Sequence, residues 1–257
     1  MKIITSSDNT KKLIFNGYEA VILYLTNKVT LCISSQIGCK LNCDFCRTGK
    51  LGFKRNLTKD EIIEQYLEAS KLETINAIVF MGMGEPLDNY ENVRYAILEL
   101  NQKYSFSQKK ITVSTAGIPD KIIQLSKDTS ARLAISLNAT DNETRSKLMP
   151  INKTYPIEEI INSLKQIKND RHNPVMIEYV LLKNINDKNV DKIAELFQNI
   201  EILMSLIPYN CHDKAEYKST DKAKIEEIKQ VLMKKGIKTF IRESKGSDIL
   251  AACGTLG

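Results

Sequence analysis

The chain has 257 residues, of which 42% are hydrophobic and 26% charged, and its formal net charge is +6. This balance excludes a disordered or collagen-like polymer, and the length suits one large domain or a single α/β barrel. No apolar run approaches the ~18 residues needed to span a bilayer, and Met1-Lys2-Ile3-Ile4-Thr5-Ser6-Ser7-Asp8 lacks the apolar core of a signal peptide, so a cytoplasmic, membrane-free protein is expected.

The chain starts with apolar segments at 13–15 and 20–26 that flank Asn16-Gly17, a sequence suited to a hairpin turn. β-rich runs follow at 29–34, 77–81, 111–115, 132–137, 175–181 and 203–208. Helix-period stretches lie between them or after them, at 58–72, 89–103, 157–168, 189–199 and 220–235. Thr58-Lys59-Asp60-Glu61 reads as a capping box for the first helix. Apolar runs that alternate with helices point to a parallel sheet with right-handed crossovers. The last run, 237–241, suits an edge strand. The expected architecture is an α/β partial (β/α)6 barrel over residues 29–257, preceded by an N-terminal β-hairpin extension over 1–28.

Functional groups of such barrels gather at the C-terminal ends of the strands. Cys39–Cys46 follows the first run and Gly82-Met83-Gly84-Glu85-Pro86 the second. Ser114-Thr115-Ala116-Gly117, Ser136-Leu137-Asn138 and Pro208-Tyr209-Asn210 stand at three further ends. The charge of +6 fits contact with phosphate backbones without requiring it. The two histidines, His172 and His212, are too scattered for a histidine metal site.

The six cysteines are more informative, because clustered cysteines in a reducing compartment call for a metal or redox role. Cys39-Lys40-Leu41-Asn42-Cys43-Asp44-Phe45-Cys46 has the spacing C-x3-C-x2-C. Three thiolates on one loop can each bind a different iron of a [4Fe–4S] cluster and leave the fourth iron open. The open iron can chelate the amino and carboxylate groups of S-adenosylmethionine (SAM), which an electron from the cluster then splits to a 5′-deoxyadenosyl radical. The alternative is zinc, which usually takes a fourth Cys or His, and none lies nearby in sequence.

The stretch from Leu31-Cys32-Ile33-Ser34-Ser35-Gln36-Ile37-Gly38-Cys39 through Gly52-Phe53-Lys54-Arg55-Asn56-Leu57-Thr58 resembles the RlmN/Cfr family of radical SAM RNA adenine methyltransferases. The resemblance continues through 81–87, 133–137, Met149-Pro150-Ile151-Asn152-Lys153, 177–180 and Gly246-Ser247-Asp248-Ile249-Leu250-Ala251-Ala252-Cys253-Gly254. It implies a route that uses two SAM molecules. One SAM methylates a cysteine thiolate, and the radical made from the second takes a hydrogen from that S-methyl group. The resulting radical adds to adenine to form a covalent protein–RNA intermediate. A base then removes the ring proton, and a second cysteine attacks sulfur to release the methylated RNA and leave a disulfide.

Matched residue by residue, the resemblance gives Cys39, Cys43 and Cys46 as cluster ligands and Cys253 as the methyl carrier. It gives Cys32 as the resolving cysteine and Glu19 as the proton acceptor. Gly84, Glu85, Ser114, Ser136, Leu137, Asn138 and Asn210 match SAM-contact positions, with Asn138 where many relatives have histidine. Cys211 matches no functional position. The implied partners are 23S rRNA or tRNA and a reducing donor such as flavodoxin or ferredoxin, and a monomer is expected. Pro86, where Cfr sequences carry alanine, favours carbon 2 of adenosine over carbon 8. A non-RNA substrate or a purely RNA-binding role is the remaining alternative. Family members usually carry an N-terminal helical domain ahead of the barrel, whereas this sequence starts almost at the hairpin. Weaker, more salt-sensitive RNA binding is therefore expected.

Overall fold

The computed structural model describes residues 1–26 and 28–257; Asn27, inside the expected 1–28 extension, lies outside the described residues. In chain order the elements are β1 Lys2–Thr5, β2 Lys11–Ile14, β3 Glu19–Leu25, β4 Lys28–Ile33, β5 Gln36–Gly38, α1 Arg47–Lys50, β6 Phe53–Asn56 and α2 Lys59–Ser70. They continue as β7 Ala77–Phe80, α3 Tyr90–Gln102, β8 Ile111–Thr115, α4 Pro119–Asp128, β9 Arg132–Ser136, α5 Asn142–Leu148 and α6 Ile157–Leu164. β10 Val175–Leu181, α7 Ile193–Leu196, β11 Ile202–Pro208, α8 Lys222–Lys234 and β12 Lys238–Ile241 complete the order.

Ten strands form one sheet in the order β1-β2-β3-β4-β7-β8-β9-β10-β11-β12. From β4 onward every pairing is parallel, while β1 to β4 pair antiparallel. Residues from β3 through β12 face one common cavity, so the sheet curls into an open barrel. The parallel arrangement agrees with the sequence expectation, with β12 added as a seventh parallel strand at the edge. The hairpin forms in the register Leu13↔Ala20, but it is part of a three-strand meander that begins with β1.

Strands buried on both faces explain the apolar runs: Ile78, Val113, Ala134, Ile135, Ile177 and Leu206 are all buried. The capping box is present, with the Thr58 side chain accepting from the Glu61 N–H and the Glu61 carboxylate accepting from the Thr58 N–H. The helix expected at 189–199 is a 3₁₀ turn, Val190–Lys192, followed by the short α7. Asn189 has a left-handed backbone there, which prevents an α-helical start at that residue.

Candidate active site

β5 and β6 form a separate two-stranded sheet that flanks the cysteine loop and fixes both its ends. Gly38 precedes Cys39 with φ of +73°, and a Cβ there would stand 1.7 Å from the Gly52 carbonyl oxygen. Only glycine fits this approach. The Cys39 N–H donates to that same carbonyl, at 3.2 Å. Cys46 caps α1, and backbone N–H groups of Thr48 and Gly49 point to its sulfur.

Burial pushes the Cys39 thiol up to about 12 and also raises Cys43 and Cys46, while the Thr48 and Gly49 N–H groups act in the opposite direction on Cys46. A cationic cluster would offset this desolvation and hold the thiolates. Among the described residues no three Cys, His, Asp or Glu side chains converge as they would on a single metal ion. Three thiolates on one loop suit a cubane, in which each binds a different iron.

The three thiols line a cavity of about 170 Å³ together with Gly84, Glu85, Ser114, Ser136, Asn138, Asn210 and Cys253. Gly84 has φ of +96°, and a Cβ there would collide with the Gln36 side chain at 2.5 Å. The turn lets the Glu85 carboxylate accept from Ala116 N–H at 2.8 Å and Leu87 N–H at 3.0 Å. Burial raises Glu85 to about 7 against those two donors. A buried carboxylate beside the cysteine loop suits an amino group of a bound ligand. Asn138, at φ of +58°, accepts from Val180 N–H at 2.8 Å and so ties the ends of β9 and β10 together. Leu137 lies fully buried in the core beneath this cavity and does not line it.

A larger cavity of about 820 Å³ fills the barrel lumen, and Cys32 and Cys253 both line it. The two cavities share Met81, Ile207, Asn210, Arg242, Cys253 and Leu256. Cys32 sits on β4 with its thiol pushed up by burial, and the Cys253 sulfur adds to that rise by its proximity. Cys253 is exposed, its carbonyl accepts from Asn210 Nδ2 at 3.1 Å, and its sulfur stands 3.9 Å from the Arg242 guanidinium.

Glu19 lines neither cavity. Its carboxylate accepts from Gly257 N–H at 3.0 Å and faces Lys12 Nζ at 3.3 Å, one residue behind Leu256 at the cavity junction. Cys211 is exposed and lines neither cavity. Two groups that the sequence reading passed over stand inside: Glu178 on β10 pairs with Arg242 at 2.5 Å and accepts from the Ser114 hydroxyl. Glu178 had two signals, a carboxylate in the middle of the apolar run 175–181 and a place in the stretch 177–180 that resembles the family.

Residues 33–197 match the family model described as the radical SAM superfamily. "Probable dual-specificity RNA methyltransferase RlmN" of Thermotoga sp. (strain RQ2) is 43% identical over 99% of this chain and 78% of its own length. The chain belongs to the RlmN family of radical SAM RNA methyltransferases. A second RlmN, the dual-specificity RNA methyltransferase of Desulfosudis oleivorans, is 41% identical over 98% of this chain and 71% of its own length. The crystal structure of a radical SAM methyltransferase from Sphaerobacter thermophilus superposes with a TM-score of 0.95 at 33% identity, covering 100% of this chain and 80% of that one. The cofactors of this RlmN-family enzyme are a [4Fe–4S] cluster and SAM, and the cysteine loop and Glu85 turn have the chemistry to hold them. Among the described residues no helix is long and apolar enough to cross a membrane.

Proposed function

We propose that this enzyme methylates carbon 2 of an adenosine in 23S rRNA, tRNA or both, through an S-methylcysteine at Cys253 and with two SAM per turnover. The observation that carries this reading is the position of Cys253, which lines the small cavity with Cys39, Cys43 and Cys46 and also the lumen with Cys32. A carrier has to meet a methyl donor on one side and an acceptor base on the other.

The cluster on Cys39, Cys43 and Cys46, with SAM against Gly84, Glu85, Ser114, Ser136, Asn138 and Asn210, supplies a methyl group and a carbon-centred radical when bound. Leu137 supports that wall from the core. The Cys253 sulfur, the nucleophile of a polar methyl transfer, stands 3.9 Å from the positively charged Arg242 guanidinium. The buried Glu178 carboxylate holds Arg242 in place. The carbon-2 position is electron-poor and accepts a carbon radical delivered on the Cys253 sulfur. Glu19 then takes the ring proton. Cys32 attacks the Cys253 sulfur, forms the S–S bond and breaks the bond from that sulfur to the methylene carbon on the base. The unpaired electron of the adduct passes back to the redox chain, and a proton completes the methyl group. A two-electron reduction of the disulfide resets the enzyme after the RNA leaves. The electron comes from a flavodoxin or ferredoxin, and the chain acts as a monomer.

The test is mass spectrometry of nuclease-digested RNA after reaction with the wild type and two variants. The wild type yields 2-methyladenosine, Cys253→Ala yields none, and purified Cys32→Ala retains RNA that survives denaturation. Product methylated at carbon 8 would make the enzyme Cfr-like. Full activity of Cys253→Ala would overturn the carrier role.

A further inference from the structure

The two ends of the lumen differ in what lines them. At the strand C-terminal ends, loops cover the site: Arg47 N–H donates to the Gly254 carbonyl at 2.8 Å, and Thr48 Oγ1 donates to the Leu256 carbonyl at 2.8 Å. Arg47 also pairs with Asp213 at 3.0 Å, and His212 Nε2 donates to the Phe45 carbonyl at 3.0 Å. The opposite end of the 820 Å³ lumen is ringed by residues at the strand starts, Lys28 of β4, Lys109 and Lys110 just before β8, and Arg132 of β9. All four are exposed. Among the described residues none of the four takes part in an ion pair, whereas Lys11, Lys12, Arg55 and Lys59 are each paired.

Unpaired cations collected at one mouth raise the local concentration of a polyanion. Lys109 and Arg132 also line a neighbouring groove of about 380 Å³ whose wall carries Lys168 and one carboxylate, Asp170, so three cations face it against one anion. Inside, the lining turns apolar with Leu23, Val79, Met81, Met176 and Phe240 before reaching Cys32 and Cys253. Charge outside and apolar walls within suit a base that has left its stack while its flanking phosphates stay in water. The volume lies in the ~300–1,000 Å³ range of ligand sites.

We propose that the RNA strand docks at this mouth, with Lys28, Lys109, Lys110 and Arg132 on phosphates flanking the target nucleotide, and that the base reaches Cys253 through the lumen from the strand N-terminal side. The proposal rests on the RNA reading above and adds the surface and the direction of access. It departs from the usual barrel, where substrate comes from the strand C-terminal side.

The test compares two fourfold variants that each remove four positive charges. One carries Lys28→Ala, Lys109→Ala, Lys110→Ala and Arg132→Ala. The control carries Lys71→Ala, Lys147→Ala, Lys224→Ala and Lys229→Ala on the outer helices. Fluorescence anisotropy with a tRNA anticodon-stem transcript, across a salt series, gives the affinity and its salt slope. Each lost phosphate contact flattens the slope of log K against log salt by about 0.7–0.9, so the mouth variant should lose about 3. Its Kd should rise at least about tenfold more than that of the control variant, and its KM for RNA should rise while kcat at saturating RNA stays within about twofold of the wild type. Unchanged melting temperatures establish that both variants fold. Equal losses in the two variants, or an unchanged slope in the mouth variant of an enzyme whose wild type methylates RNA, overturn this proposal alone. A wild type that neither binds nor methylates RNA overturns the functional reading together with it.

Discussion

Arg145 is fully buried, and among the described residues no carboxylate pairs with its guanidinium. It donates instead to the Leu137 carbonyl at 2.9 Å, Asn152 Oδ1 at 2.9 Å, the Ala116 carbonyl at 2.5 Å and the Ser136 carbonyl at 3.2 Å. These acceptors belong to the strand ends that wall the small cavity, so one side chain holds the ends of β8 and β9 to the 150s loop. Desolvation lowers Arg145 to about 10, which leaves it charged at neutral pH. Arg145→Met keeps much of the volume but removes every donor. Each orphaned buried acceptor costs about 1–3 kcal/mol, and the relief from no longer burying a charge offsets part of the total. A net loss of about 4 kcal/mol is expected, equivalent to a fall in Tm of about 12 °C at roughly 3 °C per kcal/mol for a chain of this size. Circular dichroism melting of the cluster-free protein under anaerobic conditions measures it. Arg145→Lys should recover little, because a point charge cannot reach carbonyls on three segments at once. A Tm for Arg145→Met within 2 °C of the wild type would refute the assignment of Arg145 as the tie between these strand ends.

Anaerobically prepared wild type should carry about four irons per chain, and Cys43→Ala should lose most of the iron and the brown colour while keeping its circular dichroism spectrum; zinc in place of iron would reject the cluster assignment. Glu19→Gln should accumulate the same RNA adduct as Cys32→Ala, whereas unchanged turnover would leave Glu19 as an anchor for Gly257. Glu85 has its folded value raised to about 7 from 4.5, so burial penalises its ionised form: the cost is absent below 4.5, builds as pH rises to 7 and then stays constant at about 3 kcal/mol. In the cluster-free protein, Glu85→Gln should therefore gain stability relative to the wild type between pH 5 and 8, by urea titration; a difference that does not change with pH would contradict the buried-carboxylate reading.

The parallel sheet was legible because strands covered on both faces must be apolar throughout, and the runs at 111–115 and 175–181 coincide with β8 and β10. β1 was not, since Lys2–Thr5 is a short, mostly exposed strand without alternation. β5 and β6 escaped notice because β6 is wholly exposed and is held by its partner strand rather than by a buried face. In the site, the cysteine spacing could be read locally. Cys32 and Cys253 meet only through the fold, and only the family resemblance linked them. Leu137 occupies a contact position by resemblance, but its side chain points into the core, where it serves the site through its backbone. Arg242 gave no local signal at all, because its partner Glu178 lies two strands away in the sheet.

The segment that carries Cys253 is fastened to residues near the other end of the sequence. Gly246 N–H donates to Asp8 at 3.0 Å, and Asp248 accepts from Ser7 N–H at 3.0 Å and from the Ser6 hydroxyl. Joining points so far apart along a free chain costs about 5 kcal/mol of loop-closure entropy, more than a few partly exposed hydrogen bonds at about 1 kcal/mol each can supply. The fastening therefore forms only after the barrel has brought the two regions together, and as the most non-local set of contacts it is expected to form last. Folding order thereby becomes a safeguard. Cys253, the proposed methyl carrier, enters the site only in a molecule whose sheet is already assembled, so on the proposed route a half-folded chain holding a cluster does not capture RNA.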